Sequence, residues 1–274
     1  KAHVAILSET LAYISRNGGR DAIVEALAAA DSDQNRTILA MNLIHFPNDA
    51  KIEEAFMGAY AKIAPDAGIP LMGGGNGRSI LIQASSHFYD PKLVDWILKE
   101  KIAAKGDHAE EVTAGALDAA VKLMKADQVK QVGIVVGQLT GPATEKEKFN
   151  AGSKVLEKCK EDAACYVKVL DEPIPSSPET AKFAHVKATW MAAAFGNDGT
   201  RKELLGKIDK IKDPSVRLAM AEAIDHLGPK GDVAAADQLD KMVEADKASG
   251  NKALLQADDA VAKVSLKLRS RATQ

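Results

Sequence analysis

The residues that could hold a metal ion in this 274-residue chain are its six histidines, two cysteines and 38 acidic residues. Side chains on a helix share a face only when they are three or four positions apart, so closely spaced ligands mark a helical metal site. The chain has no His-x-x-x-His and no His-Glu pair, and its histidines stand apart, at positions 3, 45, 87, 108, 185 and 226. We therefore predict no metal site and no cofactor.

Two kinds of cluster contain catalytic residue types without catalytic spacing. Ser85-Ser86-His87 with Asp90 has the letters of a hydrolase triad, but adjacent positions on a helix do not face each other and no Gly-x-Ser-x-Gly elbow is present. Neighbouring carboxylates diverge around a helix in the same way, at Glu53-Glu54, Glu110-Glu111 and Asp258-Asp259. These patterns predict no catalytic residue and a protein that is not an enzyme.

A glycine-rich segment at 72–79 has the look of a phosphate-binding loop. Such a loop needs glycine where Met72 stands and lysine where Arg78 stands. We interpret 64–77 as a flexible loop that ends at a helix N-terminus. The alternative is a contact with an anion or a protein partner, made by Arg78 and the backbone N–H groups of that helix.

Charge and hydropathy argue against a nucleic-acid-binding protein and against a membrane-spanning one. The 36 basic residues nearly balance the 38 acidic ones, so no excess of cations favours binding to nucleic acid. No apolar run approaches the ~18–20 residues of a membrane span. Hydrophobic residues make up 46% of the chain and aromatic residues only 4%. Much of the hydrophobic fraction is alanine, the best helix former. The composition therefore indicates an all-α protein.

The two tryptophans, Trp96 and Trp190, are candidate anchors of a protein interface, because aromatic side chains dominate binding hot spots. The alternative for both is packing in the core. A base-flipping nucleic-acid site would need such rings in a basic channel. The two rings are far apart in a chain without net positive charge, so we expect no nucleic-acid partner.

An internal repeat organises the chain. Arg36-Thr37-Ile38-Leu39 recurs as Arg78-Ser79-Ile80-Leu81, and His45-Phe46 recurs as His87-Phe88, all at an offset of 42. Two-helix HEAT or armadillo units have periods of ~40–47 residues. Apolar spacing and turn residues predict helices at about 20–30, 33–46, 48–63, 78–88, 91–105, 108–125, 127–139, 144–160, 163–170, 179–195, 198–212, 214–227, 230–247 and 250–270.

The segment from Asp213 to Gly228 closely resembles the second half of a bacterial HEAT repeat, with Asp-Pro, then Val-Arg, a small-residue run and Leu-Gly. The resemblance implies an α-solenoid of about six or seven HEAT-like antiparallel helix pairs. It would form a single domain over 1–274, with irregular junctions at 64–77 and 171–178.

HEAT solenoids mostly bind other macromolecules, since stacked pairs expose a long surface. The resemblance thus implies a non-enzymatic scaffold that binds another protein through its concave face or its inter-helix loops. Its candidate contact residues are Arg78, Trp96 and Trp190. The alternatives are a HEAT-like lyase or chaperone-type enzyme, and a purely structural segment of a longer solenoid.

The segment from Cys159 to Lys168 resembles a cysteine-pair segment of exported bacterial HEAT proteins, including envelope lipoproteins. The resemblance implies a disulfide between Cys159 and Cys165 and a place in the bacterial envelope or periplasm, and it is compatible with a lipid anchor on residues before Lys1. In one unbroken helix, positions six apart differ by ~9 Å in rise, too far to bridge. The helix must therefore break between them. Two free cysteines in a cytoplasmic protein, or a two-cysteine metal site, are the alternatives.

Overall fold

The computed structural model describes residues 2–14, 17–138 and 143–273. Within these ranges every regular element is a helix and no β-sheet forms. The prediction of an all-α protein is confirmed. The chain divides into two compact units, residues 1–120 and 121–274.

The first unit is built from helices, the first five of which pack against one another. Its helices are α1 (Ala2–Ile14), α2 (Asn17–Ala28), α3 (Asp33–Leu43), α4 (Ala50–Lys62), α5 (Gly77–Ala84), α6 (Leu93–Ala103) and α7 (Ala109–Leu123), the last of which runs past residue 120. Helix α3 is central and packs against α1, α2, α4 and α5. The core between these helices is aliphatic and aromatic, with Leu43, Ile52, Phe56 and Leu81 all buried.

The second unit repeats this arrangement. Its helices are α8 (Val129–Gly137), α9 (Ala143–Cys159), α10 (Ala163–Val169), α11 (Phe183–Phe195), α12 (Asp198–Leu205), α13 (Pro214–His226), α14 (Val233–Ser249) and α15 (Leu255–Ala272). Helix α11 packs against α9, α10, α12 and α13, and α13 continues the contact to α15. No described helix in either unit is long and apolar enough to cross a membrane.

Capping side chains start many of the helices at the positions that the sequence indicates. Ser32 accepts a hydrogen bond from the N–H of Asn35 at the start of α3, and Asp49 accepts one from Ile52 at the start of α4. Asp213 does the same for two N–H groups of α13, with Pro214 at the first helical position. These caps satisfy backbone donors that have no partner inside the helix.

The helices of the structure differ from the predicted ones at several points. Helix α1 was not predicted, because its apolar side chains lie on several sides and two of them, Ile6 and Leu7, are 62% exposed. The predicted helix 78–88 ends at Ala84 and continues as a 3₁₀ turn, where Ser85 donates to the carbonyl of Ile82. The predicted helix 198–212 ends at Leu205 and gives way to a 3₁₀ turn at Ile208–Lys210.

The 42-residue repeat corresponds to a repeated contact. Arg36 donates from Nη2 to the carbonyl of Ala30 at 2.9 Å, and Arg78 donates from Nε to the carbonyl of Ile63 at 2.8 Å. Each arginine therefore ties the start of its helix to the end of the preceding one. Such carbonyls at helix ends lack partners in the helix itself.

Candidate functional site

Two of the three residues predicted to contact a partner, Arg78 and Trp96, both contact Tyr60 in the first unit. The Arg78 guanidinium carbon is 5.4 Å from the centre of the Tyr60 ring. The Tyr60 and Trp96 ring centres are 5.2 Å apart, with the rings nearly perpendicular. The two rings have the edge-to-face geometry that aromatic pairs prefer. The Arg78 guanidinium adds a cation–π contact with the Tyr60 ring.

The rings belong to a larger group, which we call the aromatic cluster: Phe56, Tyr60, Phe88 and Trp96. Phe56 and Tyr60 lie one helical turn apart on α4, and Phe56 meets Phe88 edge-to-face at 5.0 Å. Three of the rings are at most 2% exposed, while Trp96 is half-buried. Burial raises the pKa of Tyr60 to about 12, so its phenol stays neutral. Trp96 is therefore the part of the cluster that faces solvent.

The segment from Ile63 to Asn76, which we call the glycine loop, joins α4 to α5 and is folded on itself. The N–H of Ile69 donates to the carbonyl of Gly75 at 2.9 Å, and the N–H of Gly77 donates to Ala67 at 2.9 Å. The Asn76 side chain donates to the carbonyl of Pro65 at 2.8 Å. These bonds give the loop a defined shape instead of the flexible connection that we expected.

The tip of the glycine loop presents one large apolar side chain to solvent. A 3₁₀ turn at Pro70–Met72 leaves Leu71 51% exposed, whereas Ile69 is fully buried beneath it. The chain then reverses through Gly73 and Gly74, at φ of 70° and 82°. Only glycine adopts these angles without strain. The loop thus holds an exposed leucine on an ordered base.

The sequence left open that an anion binds at the start of α5, but in the structure the Glu111 carboxylate already occupies that position. Glu111 accepts a hydrogen bond from the N–H of Asn76 at 3.4 Å, and its own carbonyl accepts one from Ser79 at 2.9 Å. His108 lies 2.9 Å from the same carboxylate and lowers its pKa. A free anion would have to displace Glu111. Arg78, for its part, is engaged with Ile63 and Tyr60.

Trp190, the third predicted contact residue, belongs to the second unit and is 3% exposed. It lies on α11, where the ammonium of Lys122 sits 5.2 Å from its ring centre. The ring is packed in the interior, which is the alternative that the sequence left open for it.

The cysteine pair is at disulfide distance, with its sulfur atoms 2.00 Å and its Cα atoms 5.4 Å apart. Helix α9 ends at Cys159, Lys160 adopts a left-handed φ of 54°, and Asp162 caps α10. The predicted break in the helix between the two cysteines is therefore confirmed. The Tyr166 hydroxyl donates to the carbonyl of Lys160 and closes the turn.

A buried lysine on α11 was missed by the sequence analysis. Lys187 is fully buried, and its ammonium donates to the carbonyls of Val121, Lys122 and Met124 at 3.0, 2.7 and 2.6 Å. These carbonyls lie at the C-terminal end of α7, where they lack helical partners and the dipole is negative. Burial lowers the pKa of Lys187, and the three acceptors oppose that shift. The signal in the sequence was a lysine within a helix that is apolar on all sides.

A second buried polar group joins three helices of the second unit. Arg217 on α13 donates to Asp246 on α14 and, at 3.1 Å, to Asp258 on α15. None of the three residues is more than 8% exposed, and burial raises the pKa of Asp258. The arginine also donates to the carbonyl of Ile211 at 3.0 Å, the same kind of contact as at Arg36 and Arg78. The group connects helices in the core.

Among the described residues, no three histidine, cysteine, aspartate or glutamate side chains come together as metal ligands would. No protein-family model, curated protein or solved structure matches the chain. The resemblance to HEAT repeats therefore rests on the residues of this sequence.

Proposed function

We propose that this chain is a non-enzymatic scaffold of the HEAT α-solenoid type, which binds another protein through an inter-helix loop. The observation that carries the proposal is the glycine loop, which holds Leu71 exposed on an ordered base. Arg78 ties that base to the aromatic cluster through Tyr60. Aromatic side chains and arginine are enriched at protein interfaces, and the exposed Leu71 adds apolar surface that a partner can bury.

Order in the loop matters for binding because association is opposed by the loss of conformational entropy. A loop already fixed by its own hydrogen bonds loses less on contact with a partner than a disordered one. The bonds from Ile69, Asn76 and Gly77 are therefore as much a part of the proposed site as the exposed Leu71.

The packing of the helices supports the solenoid part of the proposal. In each unit a central helix contacts both the next helix and the next but one, as α3 and α11 do. Stacked helix pairs produce this pattern, since each pair buries its apolar face against its neighbours. We propose six or seven such pairs for the whole chain.

The cysteine pair supports a place in the bacterial envelope or periplasm, because disulfides persist in oxidising compartments. The cytoplasm is the alternative. Protein recovered from its native cells in the presence of iodoacetamide decides between them. We expect no alkylated cysteine, and two alkylated cysteines would overturn this part of the proposal.

A photo-crosslinking amino acid at position 71 tests the binding function directly. We expect it to join the chain to one protein of its native cells, which mass spectrometry would identify. The matched control is the same amino acid at position 134, because Ile134 is also a large, exposed apolar residue, at 57%. Equal cross-linking at both positions would contradict a site at the glycine loop.

The purified partner then gives a quantitative test by calorimetry. We expect Leu71→Ser or Trp96→Ala to weaken binding at least tenfold, since each removes an interface anchor. Ile134→Ser should leave the affinity unchanged. An affinity that is insensitive to both loop and cluster variants would overturn the proposed site.

A further inference from the structure

The buried group of Arg217, Asp246 and Asp258 contains two polar atoms that have no hydrogen-bond partner within the described part of the chain. One is Nη2 of Arg217, and the other is Oδ2 of Asp258. Both side chains are fully buried, so bulk solvent does not reach either atom. Unpaired polar atoms are rare in protein interiors, because burial removes their hydration without a replacement bond. The pair therefore points to a bound molecule.

The two unpaired atoms belong to side chains that are already in contact. Nη1 of Arg217 donates to Oδ1 of Asp258 at 3.1 Å, and each unpaired atom shares its carbon with one of these two. The other nitrogens of the arginine are engaged, since Nη1 also pairs with Asp246 and Nε donates to the carbonyl of Ile211. An unpaired donor and an unpaired acceptor thus flank a single ion-pair contact.

The side chains one turn away do not supply the missing partners. Met220 on α13, Met242 on α14 and Leu254 before α15 lie three or four positions from the three charged residues, and all are buried. A thioether is only a weak acceptor, and a leucine side chain neither donates nor accepts. The surroundings of the polar group are therefore apolar along all three helices.

A hollow of about 360 Å³ brings solvent close to the group. It lies between the connection at 208–212 and the part of α14 at 238–246, and Asp246 is part of its wall. The same aspartate pairs with Arg217, so the hollow and the buried group share one side chain. Because Arg217 and Asp258 themselves are not exposed, a molecule bound between them has to be small.

The bound molecule must meet both unpaired atoms at once. Nη2 of Arg217 can only donate, whereas Oδ2 of Asp258 accepts when the carboxylate is ionised and donates when it is protonated. Burial raises the pKa of Asp258 and so favours the protonated form. Water both donates and accepts, so it fits either state. An anion would be repelled by ionised carboxylates, and a metal cation by the guanidinium.

We infer that an internal water molecule joins Nη2 of Arg217 to Oδ2 of Asp258 in the core of the second unit. The water completes the hydrogen bonding of the group that connects α13, α14 and α15, and it is a fixed part of the structure. The inference goes beyond the proposed scaffold function and does not depend on it, because it concerns only the packing of these three helices.

Nuclear magnetic resonance of the chain with nitrogen-15 in its arginine guanidinium groups tests the inference. A water held beside Nη2 gives dipolar cross peaks to the guanidinium protons of Arg217, and rotating-frame spectra separate these by sign from proton exchange. We expect such peaks, with the sign in the laboratory frame of a water that tumbles with the protein. The Arg217→Lys variant identifies the signals by removing them. A parent without water cross peaks at Arg217 would overturn the inference.

Arg201 is the matched control, because it is a buried arginine whose nitrogens are all paired. Its Nε and Nη2 donate to Asp198 at 3.0 and 2.7 Å, and its Nη1 donates to Asp232 at 2.9 Å. We expect no cross peak with a long-lived water at Arg201. Equal cross peaks at both arginines would contradict the inference, since the water would then not depend on an unpaired donor.

A high-resolution crystal structure provides a second and direct test. We expect density for a water oxygen at about 2.7–3.2 Å from both Nη2 of Arg217 and Oδ2 of Asp258. A bond between these two atoms themselves, or bonds from both to other protein groups, would overturn the inference.

Discussion

The ammonium of Lys187 lies 2.6 Å from the carbonyl oxygen of Met124, just beyond the end of α7. A buried cation in this position replaces the hydrogen bonds that the last turn of a helix cannot make for itself. It also places positive charge at the negative end of the helix dipole. Within the second unit, the contact fixes the chain just after residue 120 against the middle of α11.

Replacing this lysine by an apolar residue of similar length tests its structural role. We expect Lys187→Met to lower the free energy of unfolding by at least about 2 kcal/mol, because three buried carbonyls lose their donor. Urea unfolding followed by circular dichroism measures the change. Lys168→Met on α10, at an exposed position, should change stability by less than about 0.5 kcal/mol. Equal stability of the parent and the Lys187 variant would show that the carbonyls find other donors.

The buried ion pairs of Arg217 with Asp246 and Asp258 lead to a second prediction about stability. We expect Arg217→Met to destabilise the chain by about 3–5 kcal/mol, because Asp258 would be left buried without a cation and Asp246 would keep only Lys212, at 3.7 Å. Adding Asp258→Asn should restore part of the loss, since it removes one of the uncompensated charges. A double-mutant cycle measures this coupling. Strict additivity of the two changes would contradict a direct interaction.

The pKa of His226 predicts how the free energy of unfolding depends on pH. Burial lowers the pKa of His226 to about 4, from an ordinary value near 6.5, against the opposing effect of Asp225. As the pH falls, the imidazole of the unfolded chain takes up a proton near pH 6.5, whereas that of the folded chain does so only near pH 4. Stability from this group is therefore complete above pH 6.5 and is lost as the pH falls toward 4.

We expect His226→Gln to reduce the fall in the free energy of unfolding between pH 7 and pH 4.5 by about 2–3 kcal/mol. Urea unfolding at several pH values measures this. His3→Gln is the control, because His3 is exposed on α1. Identical pH profiles for the parent and the His226 variant would show that the imidazole is as easily protonated in the folded state.

The disulfide closes a short loop, so its contribution is moderate. Loop-closure entropy for a separation of 6 residues corresponds to about 2 kcal/mol. We expect Cys159→Ala with Cys165→Ala to lower stability by that amount. Dithiothreitol should bring the parent to the level of the variant and leave the variant unchanged. A parent that is insensitive to the reductant would show that the cysteines do not form the bond in solution.

The fold class and most helix positions could be predicted because their signals are local. Ser32, Asp49 and Asp213 mark helix starts by short-range hydrogen bonds, and the break between the cysteines follows from helix geometry. The end of α12 at Leu205 could not be predicted, because the chain turns there to bury Ile208, and the apolar spacing alone does not show that turn. Tertiary packing decides such boundaries.

The candidate site could be predicted only in part for the same reason. Arg78 and Trp96 stood out by residue type and by their place in the repeat. Tyr60, which lies between them, is an ordinary residue of an amphipathic helix until the fold brings the three together.

Two glycine-to-alanine changes in the first unit should have opposite effects on stability. Gly74 has a φ of 82°, which an alanine adopts only at a cost of about 1–2 kcal/mol. Gly58 lies inside α4, where a methyl group would meet nothing within 4 Å and helix propensity favours alanine by about 1 kcal/mol. We expect Gly74→Ala to destabilise the chain and Gly58→Ala to stabilise it, both measured by urea unfolding. Because Gly74 shapes the loop that carries Leu71, its variant should also weaken the cross-link at position 71, while Gly58→Ala should leave it intact. A Gly74 variant with normal stability and full cross-linking would show that the loop does not need this conformation.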